Sequence, residues 1–185
     1  MFLGDSITAG LHLTADQAFP ALLEKNLGSS GAPFRLLNAG VSGDTSAGGL
    51  RRVDWLLKQK PRLVVLELGA NDGLRGIPVP TIEANLRAIV EKVRAAGAGC
   101  LLLGMRIPPN YGADYAGAFE ALYPKLAQEL SVPLVPYFMQ GVAGVPTLNL
   151  EDGLHPTAEG HAKLAANVET ALRAALSTAG SASQP

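Results

Sequence analysis

The stretch Arg62-Leu63-Val64-Val65-Leu66-Glu67-Leu68 is nearly all apolar and is β-branched at its centre. Such a run predicts a strand buried on both faces, as in a parallel sheet covered by helices. Pro61, just before it, is a stop signal for a helix over residues around Leu50 to Gln59. After it, Ile82, Leu86, Ile89, Val90 and Val93 fall near helical spacing and predict a helix from about Thr81 to Ala95.

The same alternation continues outward in both directions. Upstream, Met1 to Leu3 reads as the end of a strand, Gln17 to Leu27 as an amphipathic helix, and Phe34 to Asn38 as a second short strand. That strand ends in a glycine-rich turn, Gly40 to Gly49. Downstream, Cys100 to Gly104 is a fourth strand, Asp114 to Leu130 a helix, and Val132 to Pro136 a short last strand. Pro156 opens a final helix to about Leu176, and Ser177 to Pro185, small and polar, is expected to be a disordered tail. Strands separated by helices of this length indicate βαβ units in one domain over residues 1–176. Ligands of such sheets bind at the carboxyl ends of the strands.

Composition narrows the function. Hydrophobic residues make up 48% of the 185-residue chain, enough for one sizeable core. Fifteen basic against sixteen acidic residues give a net charge of −1, with no basic stripe, which argues against nucleic acid as a partner. No stretch reaches the roughly 18 apolar residues that span a bilayer. The single cysteine, Cys100, lies in an apolar run and reads as a core residue. With no CxxC or Cys/His cluster, no metal site is expected. Only three residues precede the first motif, fewer than the roughly five of an ordinary strand, which leaves open whether residues precede Met1.

Four motifs fall at strand ends or before the last helix. Gly4-Asp5-Ser6-Ile7-Thr8 follows the first strand and aims a serine hydroxyl out of the sheet. It is not a GxSxG elbow, because Thr8 stands where the second glycine would be; alone, such a motif is more often a plain loop serine. Asn38-Ala39-Gly40-Val41-Ser42-Gly43-Asp44-Thr45 follows the second strand. Its glycines allow close backbone approach and leave an N–H exposed, as an ordinary turn before a helix also would. A phosphate loop would need a Gly-Lys-Ser/Thr ending, which is absent. Gly69-Ala70-Asn71-Asp72 follows the most buried strand and places an amide N–H2 that can meet an anionic oxygen or simply cap a helix. In Asp152-Gly153-Leu154-His155-Pro156, the spacing lets the aspartate reach Nδ1 of the histidine and leave Nε2 free as a base.

Together the four resemble the blocks of the SGNH (GDSL-type) hydrolases: GDSIT block I, NAGVSGDT block II, GAND block III and DGLHP block V. The likeness covers nearly the whole chain. It is similar to the bacterial thioesterase I/lysophospholipase L1 and arylesterase branch, with Arg106 to Gly112 and Leu122 to Leu126 as further marks. The resemblance implies a flavodoxin-like three-layer α/β/α sandwich with a five-stranded parallel sheet in the order 2-1-3-4-5. It implies Ser6 as nucleophile, His155 as general base and Asp152 as its partner. The N–H groups of Ser6 and Gly43 and the side chain of Asn71 become the oxyanion hole, and no metal or organic cofactor is required. Arg106, Ile107 and Pro108 are expected to border the substrate. The resemblance further implies a periplasmic or secreted setting, with any signal peptide absent from this chain and a cytoplasmic setting left open.

Other residues are set aside. His12 reads as a solvated loop residue, His161 as a surface or packing residue, and Trp55 as packing. Arg106 is read equally as a rim residue or a structural ion pair. Asp44 and Asp72 are expected to shape loops by accepting from backbone N–H groups. The expected substrate is a small-molecule ester or thioester with a small to medium acyl group. A carbohydrate O-acetyl esterase is the alternative on the same scaffold, disfavoured by the apolar, proline-rich loop Gly104 to Gly112. A non-catalytic binding domain would not need all four motifs. Oligomeric state is not legible.

Overall fold

Five short parallel strands make one sheet: β1 (Phe2–Gly4), β2 (Asn38–Gly40), β3 (Leu63–Glu67), β4 (Gly99–Leu103) and β5 (Leu134–Val135). Their order is β2-β1-β3-β4-β5, as expected. The computed structural model describes residues 1–28 and 35–181. Among the described residues, seven α-helices accompany the sheet: α1 (Ser6–Ala9), α2 (Phe19–Gly28), α3 (Ser46–Leu57), α4 (Ala70–Leu74), α5 (Val79–Ala95), α6 (Ala113–Leu130) and α7 (Ala158–Ser181). Helices α3, α5 and α6 pack side by side, and α2 packs with α7.

All five residues of β3 are buried, because helices cover both faces of the sheet. The helical spacing in α5 is used as the sequence predicts: Ile82, Leu86, Ile89, Val90 and Val93 are all fully buried. Burying an aliphatic side chain of this kind is worth roughly 1.5–3 kcal/mol, so this one stripe is a major anchor. Cys100 is buried in β4, and burial pushes its thiol up to about 12. Among the described residues no helix is long and apolar enough to cross a membrane.

Several boundaries differ from the sequence reading. Helix α3 begins at Ser46, so Gly48 and Gly49 are helical rather than part of the turn. Thr45 caps the helix by accepting from the Gly48 N–H at 3.2 Å. A Cβ on Gly49 would lie 2.2 Å from Leu68 Cδ1, so the glycine lets the helix close on the sheet. Trp55 is on this helix but does not pack; it is 64% exposed, because Val53 and Leu56 mark the buried stripe and Trp55 falls off it. Strand β2 lies at Asn38–Gly40, later than expected, and Phe34 lies outside the described residues. Helix α7 starts at Ala158 and continues past Leu176 to Ser181, into the stretch expected to be a tail; residues 182–185 lie outside the described residues.

The register places the functional motifs together. Gly4, at the end of β1, pairs with Gly40 on one side and Glu67 on the other. The three motifs that follow these strand ends therefore emerge side by side at the carboxyl edge of the sheet, where α/β folds bind ligands.

Candidate active site

Ser6 is the first residue of α1, a single turn that begins directly after β1. Asp5 caps that turn: its Oδ1 accepts the Ile7 N–H at 3.0 Å. The Ser6 N–H is left free by its place at the helix start, and it donates to no acceptor among the described residues. Below the turn, Glu67 Oε2 accepts the Asp5 N–H at 3.1 Å and the Thr8 hydroxyl at 2.6 Å. Gly4 makes room for this: a Cβ there would fall 2.1 Å from Thr8 Oγ1 and 2.4 Å from Glu67 Oε2.

Asp5 and Glu67 form a buried carboxyl pair. Burial raises Asp5 to about 6, against the pull of the Ile7 N–H and the His155 charge. Burial and then the Asp5 charge raise Glu67 well above the usual carboxyl range. Two such groups cannot both ionise, and Glu67 is the neutral member. Its Oε1 is buried with no partner among the described residues, which would be far costlier for a carboxylate than for an acid.

Asn71 lies in the short helix α4, an element the sequence reading did not include. Its Nδ2 donates to Asp5 Oδ2 at 3.1 Å, so Asp5 ties the serine turn to the asparagine. Asp72, its neighbour, grips the start of α3: Oδ2 accepts the Ser46 N–H at 2.8 Å and Oδ1 the Ser46 hydroxyl at 2.6 Å. Asp44 Oδ1 accepts the Thr45 N–H at 3.1 Å. Both aspartates shape loops, as expected.

His155 precedes α7 on a loop closed by an isolated bridge between Asn149 and Pro156. Asp152 Oδ1 accepts the N–H groups of Leu154 at 2.8 Å and His155 at 2.9 Å. Its Oδ2 lies 2.6 Å from His155 Nδ1. The His155 N–H, the His155 ring and the Leu154 N–H hold Asp152 down at about 2. An ionised Asp152 can only accept, so Nδ1 carries the ring proton. The lone pair of Nε2 then faces Ser6 Oγ at 2.9 Å. The chain thus brings together two residues 149 positions apart, in the geometry that lets an imidazole remove a hydroxyl proton.

Ser6, Asn71 and His155 line a cleft of about 530 Å³, together with Arg106, Ile107 and Pro108. Gly43 is not part of this lining; it sits in the turn beyond β2, where its carbonyl accepts from Arg75 Nη2 at 3.0 Å. Its N–H, like that of Ser6, donates to no acceptor among the described residues. Arg106 lines the cleft and is ion-paired with Glu120 at 2.6 Å, and its guanidinium lies 4.8 Å from the Tyr137 ring centre. The sequence reading missed Tyr137, Phe138 and Met139, which form another wall. They directly follow β5, so the rule that ligands sit at strand ends was the available signal.

The other histidines stand apart. His12 is exposed in a loop. His161 is buried, not on the surface: its Nδ1 accepts the Phe19 N–H at 3.1 Å and its ring stacks on Phe19. Among the described residues, no three His, Cys, Asp or Glu side chains are grouped to hold a metal ion.

A parallel α/β sandwich with a serine, histidine and aspartate in line at its carboxyl edge defines the class of serine hydrolases. Comparison narrows it: the chain belongs to the GDSL-like lipase/acylhydrolase family, whose sequence model matches residues 2–163. It is 46% identical over 174 residues to esterase TesA of Pseudomonas aeruginosa, covering 94% of this chain and 87% of that protein. It is 48% identical over 157 residues to the thioesterase 1/protease 1/lysophospholipase L1 of Escherichia coli K12, covering 84% and 74%. The crystal structure of the psychrotrophic esterase EstA from Pseudoalteromonas sp., inhibited by monoethylphosphonate, matches with a TM-score of 0.90 at 36% identity, covering 95% of this chain and 97% of that one.

Proposed function

We propose that this protein is a serine hydrolase that cleaves carboxylic esters and thioesters of small to medium acyl groups through an acyl-enzyme on Ser6. The observation that carries this reading is the unbroken line from Asp152 through His155 to Ser6 on the wall of the cleft. Ser6 Oγ attacks the acyl carbon while its proton passes to His155 Nε2, and Asp152 stabilises the imidazolium. The carbonyl π electrons move onto oxygen, and the N–H groups of Ser6 and Gly43 and the Asn71 amide receive the oxyanion. A preorganised donor of this kind is typically worth about 3–4 kcal/mol of barrier. Collapse expels the alcohol or thiol, which takes the proton from Nε2. Water then attacks the acyl carbon as His155 takes its proton, and Ser6 leaves with that proton restored. Every bond and proton in the cycle is handled by these side chains.

The cleft supports an acyl or aryl chain over a sugar. Ile7, Leu74, Met105, Ile107 and Phe138 contribute apolar surface, and hydroxyl groups placed there would lose hydrogen bonds to water. This disfavours the O-acetyl esterase reading. The test is Ser6→Ala assayed with p-nitrophenyl esters of increasing chain length and with one acyl-CoA. Turnover in the wild type and its loss in a folded mutant are expected; wild-type turnover in the purified mutant would sink the reading. Labelling of Ser6 by an organophosphonate gives a second readout independent of substrate choice.

A further inference from the structure

Arg52, on α3, has no place in the steps above, yet its guanidinium joins three separate segments. Nη2 donates to the Gly4 carbonyl at 3.0 Å, at the end of β1 and two residues before Ser6. Nη1 donates to the Ala39 carbonyl at 2.6 Å, in β2. Nε donates to Asp44 Oδ2 at 2.7 Å, one residue after Gly43. The ion pair is largely shielded, with 22% of the Arg52 side chain and 11% of the Asp44 side chain exposed.

We propose that Arg52 is a positioning residue that fixes the Gly43 turn against the Ser6 turn, and so sets the place of the Gly43 N–H in the oxyanion hole. This rests on the proposed roles of Ser6 and Gly43. The turn has few other holds. Val41 N–H donates to the same Gly4 carbonyl at 3.1 Å, and Asp44 N–H closes the turn on the Val41 carbonyl at 3.0 Å. On the far side, Arg75 holds the Gly43 carbonyl from an exposed position. Among the described residues, Arg52 alone donates to the strand that leads into Ser6, the strand that leads into the turn, and the turn itself. Sliding the turn in any direction breaks at least one of its three bonds. A guanidinium suits the task because its donors point outward in a rigid plane, whereas an ammonium on a flexible stem cannot hold three acceptors in fixed directions. Water could satisfy the two strand-end carbonyls, but it would not couple them to Asp44.

The test compares wild type, Ser6→Ala, Arg52→Lys, Asp44→Asn and the double mutant Arg52→Lys with Asp44→Asn in the whole chain, with active sites counted by burst titration with a p-nitrophenyl-releasing organophosphonate. Displacing an oxyanion donor by a fraction of an ångström to one ångström should lower kcat per titrated site by roughly 10–100-fold in Arg52→Lys. KM for p-nitrophenyl butyrate should stay within about twofold, since the donor acts in the transition state. Asp44→Asn has a single amide oxygen where Asp44 serves both Arg52 Nε and the Thr45 N–H, but it leaves Arg52 its two carbonyl acceptors and should show a smaller loss. The double mutant should be no worse than Arg52→Lys alone, because both changes act through one contact. A purely structural role would lower the number of titrated sites and leave kcat per site unchanged; that result, or strictly additive losses, overturns the inference. Absence of Ser6-dependent turnover in the wild type would overturn the reading of the site, and this inference with it.

Discussion

Asp152 holds His155 at two points: Oδ1 accepts the backbone N–H at 2.9 Å while Oδ2 meets ring Nδ1 at 2.6 Å. One carboxylate thus sets both the course of the loop and the direction of the ring. The two functions are assigned to different oxygens, which makes them separable by an amide.

In Asp152→Asn, the amide oxygen should take the place of Oδ1, because two N–H groups, of Leu154 and His155, require an acceptor there. The amide nitrogen then faces Nδ1 as a donor and holds the wrong tautomer, so that Nε2 carries a proton and cannot receive one from Ser6. The expected result is a loss of roughly 10⁴-fold in kcat with the fold intact. Ester turnover and a thermal melt check this together. A mutant with the wild-type rate would mean that Ser6 and His155 work as a dyad.

Asn71→Ala removes one proposed oxyanion donor and should lower kcat by about 100–1,000-fold with little change in KM. It also leaves Asp5 Oδ2 without the Asn71 donor. A rise in KM alone, measured with the same p-nitrophenyl ester, would make Asn71 a ground-state binder.

Much of this arrangement was legible in the sequence, and the reasons are local. The run from Arg62 to Leu68 has the composition of a doubly covered strand, and the sheet order followed from the family resemblance that its flanking motifs carry. Ser6, Asn71 and His155 were legible because each sits where a strand ends or a helix is about to begin. What escaped depends on contacts between distant segments. Gly48 and Gly49 look like turn residues until Leu68 is seen packed against the helix they belong to. Trp55 reads as packing by its type, but its angle on α3 takes it off the buried stripe. Glu67 is hidden inside an apolar run, although a carboxyl among valines and leucines is itself a signal. Arg52 looks like one more charge on a helix face; its three acceptors lie in other segments.

Glu67 makes the stability of the fold depend on pH. Its folded value is raised well above its unfolded value near 4.5, so its favourable contribution is complete below 4.5 and is lost as pH rises through the folded value. The Gln side chain does not titrate, and its oxygen can still accept from the Asp5 N–H and the Thr8 hydroxyl. Glu67→Gln should therefore flatten the decline in urea-unfolding stability on the alkaline side relative to wild type. Parallel curves for the two proteins between pH 5 and 9 would show that Glu67 does not keep its proton.

His161 acts in the opposite sense and in a different window. Its Nδ1 accepts the Phe19 N–H, and burial, followed by the His155 charge, lowers it from 6.5 to about 4. Protonating Nδ1 would set a donor against a donor in a closed space. The unfolded histidine takes up its proton near 6.5 and the folded one only near 4, so between these values the unfolded state binds more protons. The stability His161 contributes is present above 6.5 and is lost as pH falls through 4. In His161→Asn, the amide oxygen can replace Nδ1 as acceptor, and nothing titrates. The mutant gives up ring packing against Phe19, so it should be less stable than wild type at pH 7.5. The gap should narrow steadily as the pH is lowered from 6.5 to 4, because only the wild type suffers the acid penalty at this site. Urea titrations of both proteins across that range measure the gap directly. A gap that stays constant would mean that His161 is protonated as readily in the folded protein as in the unfolded one, and that its bond to the Phe19 N–H does not hold the ring neutral.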